Sequence, residues 1–85
     1  MDIYYTNKFK REYKKICKEI KIKAESQEFI FRKNPFDKRL KTHKLNGELE
    51  GLFSFSVDFK NRIVFEFINN DNVCFYSIGG HDIYR

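Results

Sequence analysis

The sequence predicts a small α+β domain, and three observations lead to this prediction. The chain has 85 residues, which is enough for one domain, and we expect residues 1–85 to form it. Hydrophobic residues make up 41% and charged residues 34%, a balance that supports a modest folded core. Apolar residues recur with helical spacing in the first half and alternate with polar residues in the second. We therefore expect a strand, two amphipathic helices and then a three-stranded antiparallel meander, with the helices packed on one sheet face.

The first half of the chain contains the first strand and both helices. Residues 2–6 are aromatic and β-prone, which predicts the first strand. Over residues 7–20 the apolar side chains return every three or four positions, and basic side chains occupy the other faces of the predicted helix. A second helix is expected over residues 21–32, because Asn34-Pro35 ends it. Neither Gly nor Pro separates the two helices, so the sequence leaves open whether they are continuous.

An irregular stretch over residues 35–51 leads to predicted strands at residues 52–57, 63–68 and 73–78. A connection of this length in a small domain is often functional. The last two strands are joined by an Asn- and Asp-rich turn, which in a regular hairpin pairs Phe65 with Tyr76. The preceding hairpin is expected to place Val57 opposite Ile63. All these side chains then share one apolar face, which the helices must cover.

The opposite sheet face is expected to be uncovered and to hold Ser56, Arg62 and, beyond the last strand, His81. Arg62 falls opposite Gly79, and diagonal neighbours in a sheet have Cα atoms about 7–8 Å apart. Arg62 would hold a phosphate, and His81 would transfer a proton near neutral pH. RNA supplies its own 2′-hydroxyl nucleophile, so no metal is required. The alternative is a solvated tail histidine and an arginine that protects a strand end.

Charge is distributed unevenly along the chain. Lys and Arg number 17 against 12 Asp and Glu, which gives a formal net charge of +5. Residues 1–44 contain 14 basic and 6 acidic side chains, whereas residues 45–85 contain 3 and 6. A polyanion such as nucleic acid is the partner that this basic half indicates. The ordinary alternative is that helical lysines keep a small domain soluble.

Several classes of protein are excluded by the same sequence. No apolar run approaches the roughly 18 residues of a membrane span, and the first fifteen residues are too polar for a signal peptide. Cys17 and Cys74 are too few for a disulfide scaffold and lack zinc-ligand spacing, so both are expected to be small buried thiols. We therefore expect a cytoplasmic protein without a membrane partner, a metal or a small-molecule cofactor.

Four segments in order resemble a known family: KTHKLNGELEG at 41–51, FSFSV at 53–57, NRIVFEF at 61–67 and IGGHDIY at 78–84. They resemble the RelE/ParE superfamily of toxins from bacterial type II toxin–antitoxin systems, above all its RelE, YafQ and YoeB branches. The resemblance implies a RelE-like microbial ribonuclease fold and a metal-independent endoribonuclease that cleaves mRNA on the ribosome. It also implies a cognate antitoxin as partner. A ParE-like inhibitor of DNA gyrase, or a toxin homologue without activity, is the alternative.

The resemblance also implies roles for particular residues. His81 would be the general acid, Arg62 would stabilise the phosphorane-like state and His43 would be the general base. The expected substrate-binding residues are Lys60, Ser56, Tyr84 and Lys44. Where YafQ-like proteins have a second histidine and an aspartate, this chain has Ser56 and Lys60.

Two assignments remain open at this point. If Asn46-Gly47 formed a tight hairpin, His43 would lie opposite Glu50, at the far end of the strand from His81. Either that turn is not a tight hairpin and the segment crosses the sheet, or His43 is a loop histidine. Glu66 is a second candidate base, although an ion pair with Arg62 on the same face is the commoner arrangement.

Overall fold

The computed structural model describes residues 1–80 and 83, and these residues form a five-stranded sheet with two helices on one face. The strands are β1 (Asp2–Tyr5), β2 (His43–Lys44), β3 (Phe53–Ser56), β4 (Arg62–Phe67) and β5 (Asn72–Gly79). The helices are α1 (Asn7–Lys15) and α2 (Lys18–Lys33), and short 3-10 turns occur at Lys38–Leu40 and Gly47–Leu49. The sheet order is β1-β5-β4-β3-β2, with β1 parallel to β5 and the other pairs antiparallel. The predicted α+β class and the antiparallel meander are confirmed, and β2 is an additional strand.

The two helices are separate, and this settles the question that the sequence left open. Thr6 caps α1, because its side chain accepts a hydrogen bond from the amide of Phe9. The helix ends at Lys15, and Ile16 and Cys17 have extended backbone. Helix α1 is therefore five residues shorter than predicted, and α2 begins three residues earlier than predicted. The break reverses the chain so that both helices can cover the same sheet face.

The core lies between the helices and that face of the sheet. Phe9 of α1 packs against Phe75, with ring centroids 5.7 Å apart. Phe31 of α2 is fully buried and contacts Phe55, Phe65 and Phe75 at centroid distances of 4.9, 4.9 and 5.4 Å. Burying one such side chain stabilises the fold by roughly 1.5–3 kcal/mol. The aromatic cluster therefore fixes the two helices on the sheet.

The predicted register of β4 and β5 is correct only as far as Val64. Beyond that residue a β-bulge shifts the pairing, so that Phe65 lies opposite Phe75 rather than Tyr76. A bulge adds one residue to one strand and moves the following side chains to the other face. Phe75 and Val73 are consequently buried in the core, whereas Tyr76 is only partly buried on the opposite face. The prediction that Tyr76 belongs to the helix-covered face was wrong.

The register of β3 and β4 differs from the prediction by two residues. Phe55 lies opposite Ile63, and Ser56 lies directly opposite Arg62. Because side chains alternate with a period of two, this shift leaves every side chain on its predicted face. It brings Ser56 closer to Arg62 than expected.

The opposite sheet face is not uncovered, contrary to the prediction. Val64 and Ser77 on this face are only 3% and 4% exposed. Leu49 and Leu52, from the connection between β2 and β3, line a groove of about 310 Å³ over them together with Ile83. The irregular connection therefore covers part of this sheet face.

The cysteines also depart from expectation. Cys17 is exposed at the start of α2. Cys74 is partly buried, and the bulge places it on the face opposite the helices. Within residues 1–80 and 83, no helix has the length and hydropathy needed to cross a membrane.

Candidate functional site

Arg62 begins β4 at the end of the sheet where the β3–β4 turn lies. It pairs with Ser56 of β3 on one side and with Gly79 of β5 on the other. Its Nη1 donates a hydrogen bond of 2.9 Å to Oγ of Ser56, a side chain that is only 8% exposed. Ser56 therefore fixes the direction of the guanidinium.

In the described part of the chain, Ser56 is the one hydrogen-bond partner of the Arg62 guanidinium. A guanidinium carries five N–H donors, and Ser56 accepts from one of its nitrogens. Among residues 1–80 and 83 the ion pairs are Arg32–Glu28 and Arg39–Asp37, and neither involves Arg62. Within this part of the chain the guanidinium is thus a partly buried cation that can bind an anion such as a phosphate in bidentate fashion.

His43 lies in β2, on the same sheet face as Ser56 and Arg62. It pairs with Ser54, which in turn pairs with Val64. The connection between β2 and β3 is a long loop with a 3-10 turn at Gly47–Leu49, so Asn46-Gly47 does not form a tight hairpin. His43 is therefore a strand residue, and the alternative that placed it opposite Glu50 is wrong.

The ring of His43 has a defined orientation. Its Nδ1 lies 3.0 Å from the carbonyl oxygen of Lys41, a residue in the left-handed conformation with φ 54°. Because a carbonyl can only accept, Nδ1 carries the proton in this hydrogen bond. In the neutral ring the lone pair then lies on Nε2, and the exposed side chain can present it as a proton acceptor.

The separation of His43 and Arg62 follows from the sheet. His43 lies two strands away from Arg62. Along the strand direction the two residues are offset by two positions, because the row of His43 contains Val64 rather than Arg62. Together, these two separations correspond to about 12 Å between their Cα atoms. Both side chains are several ångströms long and share one face. A ligand the size of one nucleotide linkage can therefore contact both of them.

The two lysines of the predicted site lie in different places. Lys60 is exposed in the turn between β3 and β4, two residues before Arg62. Lys44 pairs with Phe53, so it belongs to the sheet face opposite that of His43 and Arg62. Lys60 thus lies at the end of the sheet where Arg62 begins β4. Lys44 lies in the edge strand β2, on the other face of the sheet.

His81 and Tyr84 lie outside the described residues. Ile83 is described, and its amide donates to the carbonyl oxygen of Gly80 at 3.1 Å. A Cβ added to Gly79 would lie 2.6 Å from Cγ2 of Ile83. Gly79 is thus required because the Ile83 side chain packs directly against its backbone, beside the strand position of Arg62.

Glu66 does not form the expected ion pair with Arg62. Its carboxylate accepts a hydrogen bond of 2.6 Å from the hydroxyl of Tyr76, toward the other end of β4. This hydrogen bond, with burial as a smaller cause, raises the pKa of Tyr76 to about 12. Burial, followed by the nearby Glu66 charge, raises the pKa of the Cys74 thiol. The Glu66 carboxylate is therefore occupied by a structural contact.

Glu12 is a structural residue near the site that the sequence analysis missed. Its carboxylate accepts hydrogen bonds from Oγ of Ser77 at 2.7 Å and from the amide of Ile78 at 3.1 Å. Strand β1 ends at Tyr5, which pairs with Phe75. Beyond Phe75, the Glu12 carboxylate accepts a backbone hydrogen bond from β5 that a neighbouring strand would otherwise accept. The signal was present in the sequence, since Glu12 is the one acidic residue of a strongly basic helix.

The described residues offer no preformed metal site. Among residues 1–80 and 83, no three His, Cys, Asp or Glu side chains lie close enough together to hold a metal ion. The polar groups described above for the candidate site are a guanidinium, an imidazole, a hydroxyl and a lysine ammonium.

Comparison with known proteins identifies the fold. No protein-family model and no curated protein matches the chain. A YoeB/ParE toxin from Agrobacterium tumefaciens superposes with a TM-score of 0.81 at 16% identity, over 95% of this chain and 99% of the toxin. YafQ from E. coli strain BL21(DE3) gives a TM-score of 0.72 at 18% identity, over 98% and 96% of the two chains. The YoeB-YefM complex from Staphylococcus aureus gives 0.78 at 19%, over 95% and 97%.

These similarities extend over nearly the full length of the chains compared, at sequence identities below 20%. The protein therefore has the fold of the YoeB, YafQ and ParE toxins. The resemblance to the RelE/ParE toxin superfamily is confirmed at the level of the fold.

Proposed function

We propose that this protein is the toxin of a type II toxin–antitoxin pair, and that it is a metal-independent endoribonuclease that cleaves mRNA on the ribosome. The observation that carries the proposal is the shared placement of Arg62, Ser56 and His43 on one face of a toxin-like sheet. A fixed guanidinium and an oriented imidazole are the groups that phosphodiester cleavage without a metal requires.

The proposed reaction uses the 2′-hydroxyl of the RNA as nucleophile. Nε2 of His43 takes the proton from this hydroxyl, and its oxygen attacks the adjacent phosphorus. Arg62 binds the non-bridging phosphate oxygens and stabilises the charge that they gain. The bond from phosphorus to the 5′-oxygen breaks as His81 donates a proton to that oxygen. The products are a 2′,3′-cyclic phosphate and a free 5′-hydroxyl end.

His81 enters this proposal through its position in the sequence. It comes two residues after Gly79, the strand partner of Arg62. We assign to it the donation of a proton to the leaving 5′-oxygen of the phosphate that Arg62 binds.

The remaining predicted site residues other than Lys44 are assigned to RNA binding. Lys60 adds a positive charge next to the bound phosphate, and Ser56 holds Arg62 in its binding orientation. We assign to Tyr84 the contact with a nucleobase, whereas Lys44 lies on the other sheet face and is left out of the proposed site.

An antitoxin and the ribosome are the proposed partners in the cytoplasm. The YoeB of S. aureus and the YafQ of E. coli have each been solved in complex with a second protein, YefM and DinJ respectively. The basic side chains of α1 are exposed here: Lys8, Lys10, Arg11, Lys14 and Lys15. A negatively charged antitoxin segment would complement this helix, and the phosphates of ribosomal RNA would do so in its absence.

Induced expression in bacteria tests the proposal. Arg62→Ala and His81→Ala should each abolish growth inhibition, because losing a positioned general acid alone lowers such rates by about 10²–10⁴. Arg39→Ala is the matched control, since it removes the same charge from a side chain that is 68% exposed outside the site. Mapping of mRNA ends after induction should show new 5′-hydroxyl termini with the parent and with Arg39→Ala only.

Two results would contradict this function. Unchanged toxicity of both site variants, with the same mRNA ends, would remove the site from the mechanism. Gyrase-linked DNA breaks with intact mRNA would favour the ParE-like alternative instead.

A further inference from the structure

Phe59 is exposed in a way that the folding of the protein does not explain. At 86% exposure it exceeds every other large hydrophobic side chain in the described part of the chain. Other phenylalanines are fully buried, namely Phe31, Phe55, Phe65 and Phe75. Single exposed hydrophobic side chains are common, so the position of Phe59 in the fold, rather than its exposure alone, indicates what it can bind.

The turn that carries Phe59 is held firmly. The amides of Val57 and Asp58 both donate to the carbonyl oxygen of Asn61, at 2.8 and 3.3 Å. One carboxylate oxygen of Asp58 accepts from the amides of Lys60 and Asn61 at 2.8 and 2.7 Å, and from the Asn61 side chain at 3.2 Å. A ring presented by such a turn loses little backbone entropy when it binds a ligand.

The turn also lies at the candidate site. It joins the strands of Ser56 and Arg62, and Phe59 is three residues from each of them in sequence. Lys60 follows it directly and is exposed. This turn therefore carries an exposed aromatic ring and an exposed lysine at the end of the sheet where Arg62 begins β4, a combination of residue types typical of surfaces that bind single-stranded nucleic acid.

We propose that Phe59 stacks on a nucleobase of the mRNA beside the scissile linkage, and that the β3–β4 turn thereby contributes to substrate affinity and to the choice of cleavage position. The inference rests on the proposed ribonuclease function. The flanking Lys60 and Arg62 favour RNA over an apolar protein segment, because phosphates accompany every base. Loss of one base–aromatic contact weakens binding by about 5- to 150-fold.

Cleavage of mRNA on programmed ribosomes tests this role. Phe59→Ala should lower kcat/KM by about 5- to 150-fold, and Phe59→Tyr should restore most of the loss because it retains an aromatic ring. Phe59→Leu retains the apolar character without the ring and should resemble Phe59→Ala. Phe29→Ala is the control, since Phe29 is 62% exposed on α2 and outside the site. Unchanged thermal melting would show that the variants are folded.

An mRNA with a single abasic nucleotide, moved through each position around the cut, identifies the stacked base. The abasic nucleotide should slow cleavage by the parent protein when it occupies one particular position. At that position it should not slow cleavage by Phe59→Ala any further. The inference is overturned if Phe59→Ala or Phe59→Leu cleaves as fast as the parent. It is also overturned if Phe59→Ala loses only the binding of a protein partner. A parent that cleaves no mRNA at all would instead refute the proposed function.

Discussion

The carboxylate of Glu12 connects helix α1 to the edge of β5, and its removal should destabilise the protein measurably. It accepts hydrogen bonds from Ser77, which is 4% exposed, and from the amide of Ile78, which is 2% exposed. In Glu12→Ala both donors lose their acceptor where water has little access, at a cost of roughly 1–3 kcal/mol each. We expect a total loss of about 2–6 kcal/mol. A domain of this size is stable by about 4–13 kcal/mol, so this is a large fraction.

Urea denaturation followed by circular dichroism measures this loss as a lower midpoint with an unchanged slope. Both donors bind the same oxygen, Oε1, and the amide of Glu12→Gln retains an oxygen in nearly the same place, so its loss should be much smaller than that of Glu12→Ala. Glu50→Ala is the control, because it removes the same charge from an exposed position in the connection between β2 and β3. A midpoint for Glu12→Ala equal to that of Glu50→Ala would refute the reasoning.

Three further predictions concern the site face and its turn. Gly79→Ala places a methyl group 2.6 Å from Cγ2 of Ile83, so it should cost about 1–3 kcal/mol in urea denaturation, and Ile83→Ala in the same chain should recover part of this loss. The pKa of Tyr76 is raised to about 12 by its hydrogen bond to Glu66, so this bond stabilises the fold below pH 10 and is lost as the pH rises through 12. Glu66→Gln should move the tyrosinate absorbance of Tyr76 to lower pH, and an unmoved titration would contradict this. Partial burial raises the pKa of Asp58, but hydrogen bonds from its turn outweigh burial and leave the pKa below 3.8. The ionised Asp58 therefore stabilises the fold above pH 3.8, and this stabilisation is lost as the pH falls further. In Asp58→Ala the free energy of unfolding should consequently decrease less steeply below pH 3.8 than in the parent.

The shared sheet face of Ser56 and Arg62 could be predicted from the sequence, because a register error of two residues leaves every side chain on its face. The predicted β3–β4 pairing was wrong by two residues, yet Ser56 and Arg62 remained on one face. His43 could not be placed in the same way. Its position depends on the length and shape of the 45–52 loop, which pattern arguments do not determine.

Beyond Val64, the predicted register of β4 and β5 was wrong by one residue, and a shift of one residue moves side chains to the other face. Val73, Phe75 and Ile78 are all buried, at spacings of two and then three. Regular alternation cannot bury all three, so this spacing was a signal for the bulge that occurs there. The break between the helices had no such signal, because packing on the sheet determined it rather than Gly or Pro.

The parallel pairing of β1 with β5 has a consequence for how the protein is made. Asp2 pairs with Asn72, so the first strand must wait for a partner that is synthesised 70 residues later. At elongation rates of about 5–20 residues per second, this delay lasts roughly 4–14 seconds. Gly79, the strand partner of Arg62, is synthesised 17 residues after Arg62, which corresponds to roughly 1–3 seconds. The nascent polypeptide therefore cannot complete the sheet around Arg62 and Ser56 until β5 has been synthesised, and any activity of that sheet face has to wait for the same strand.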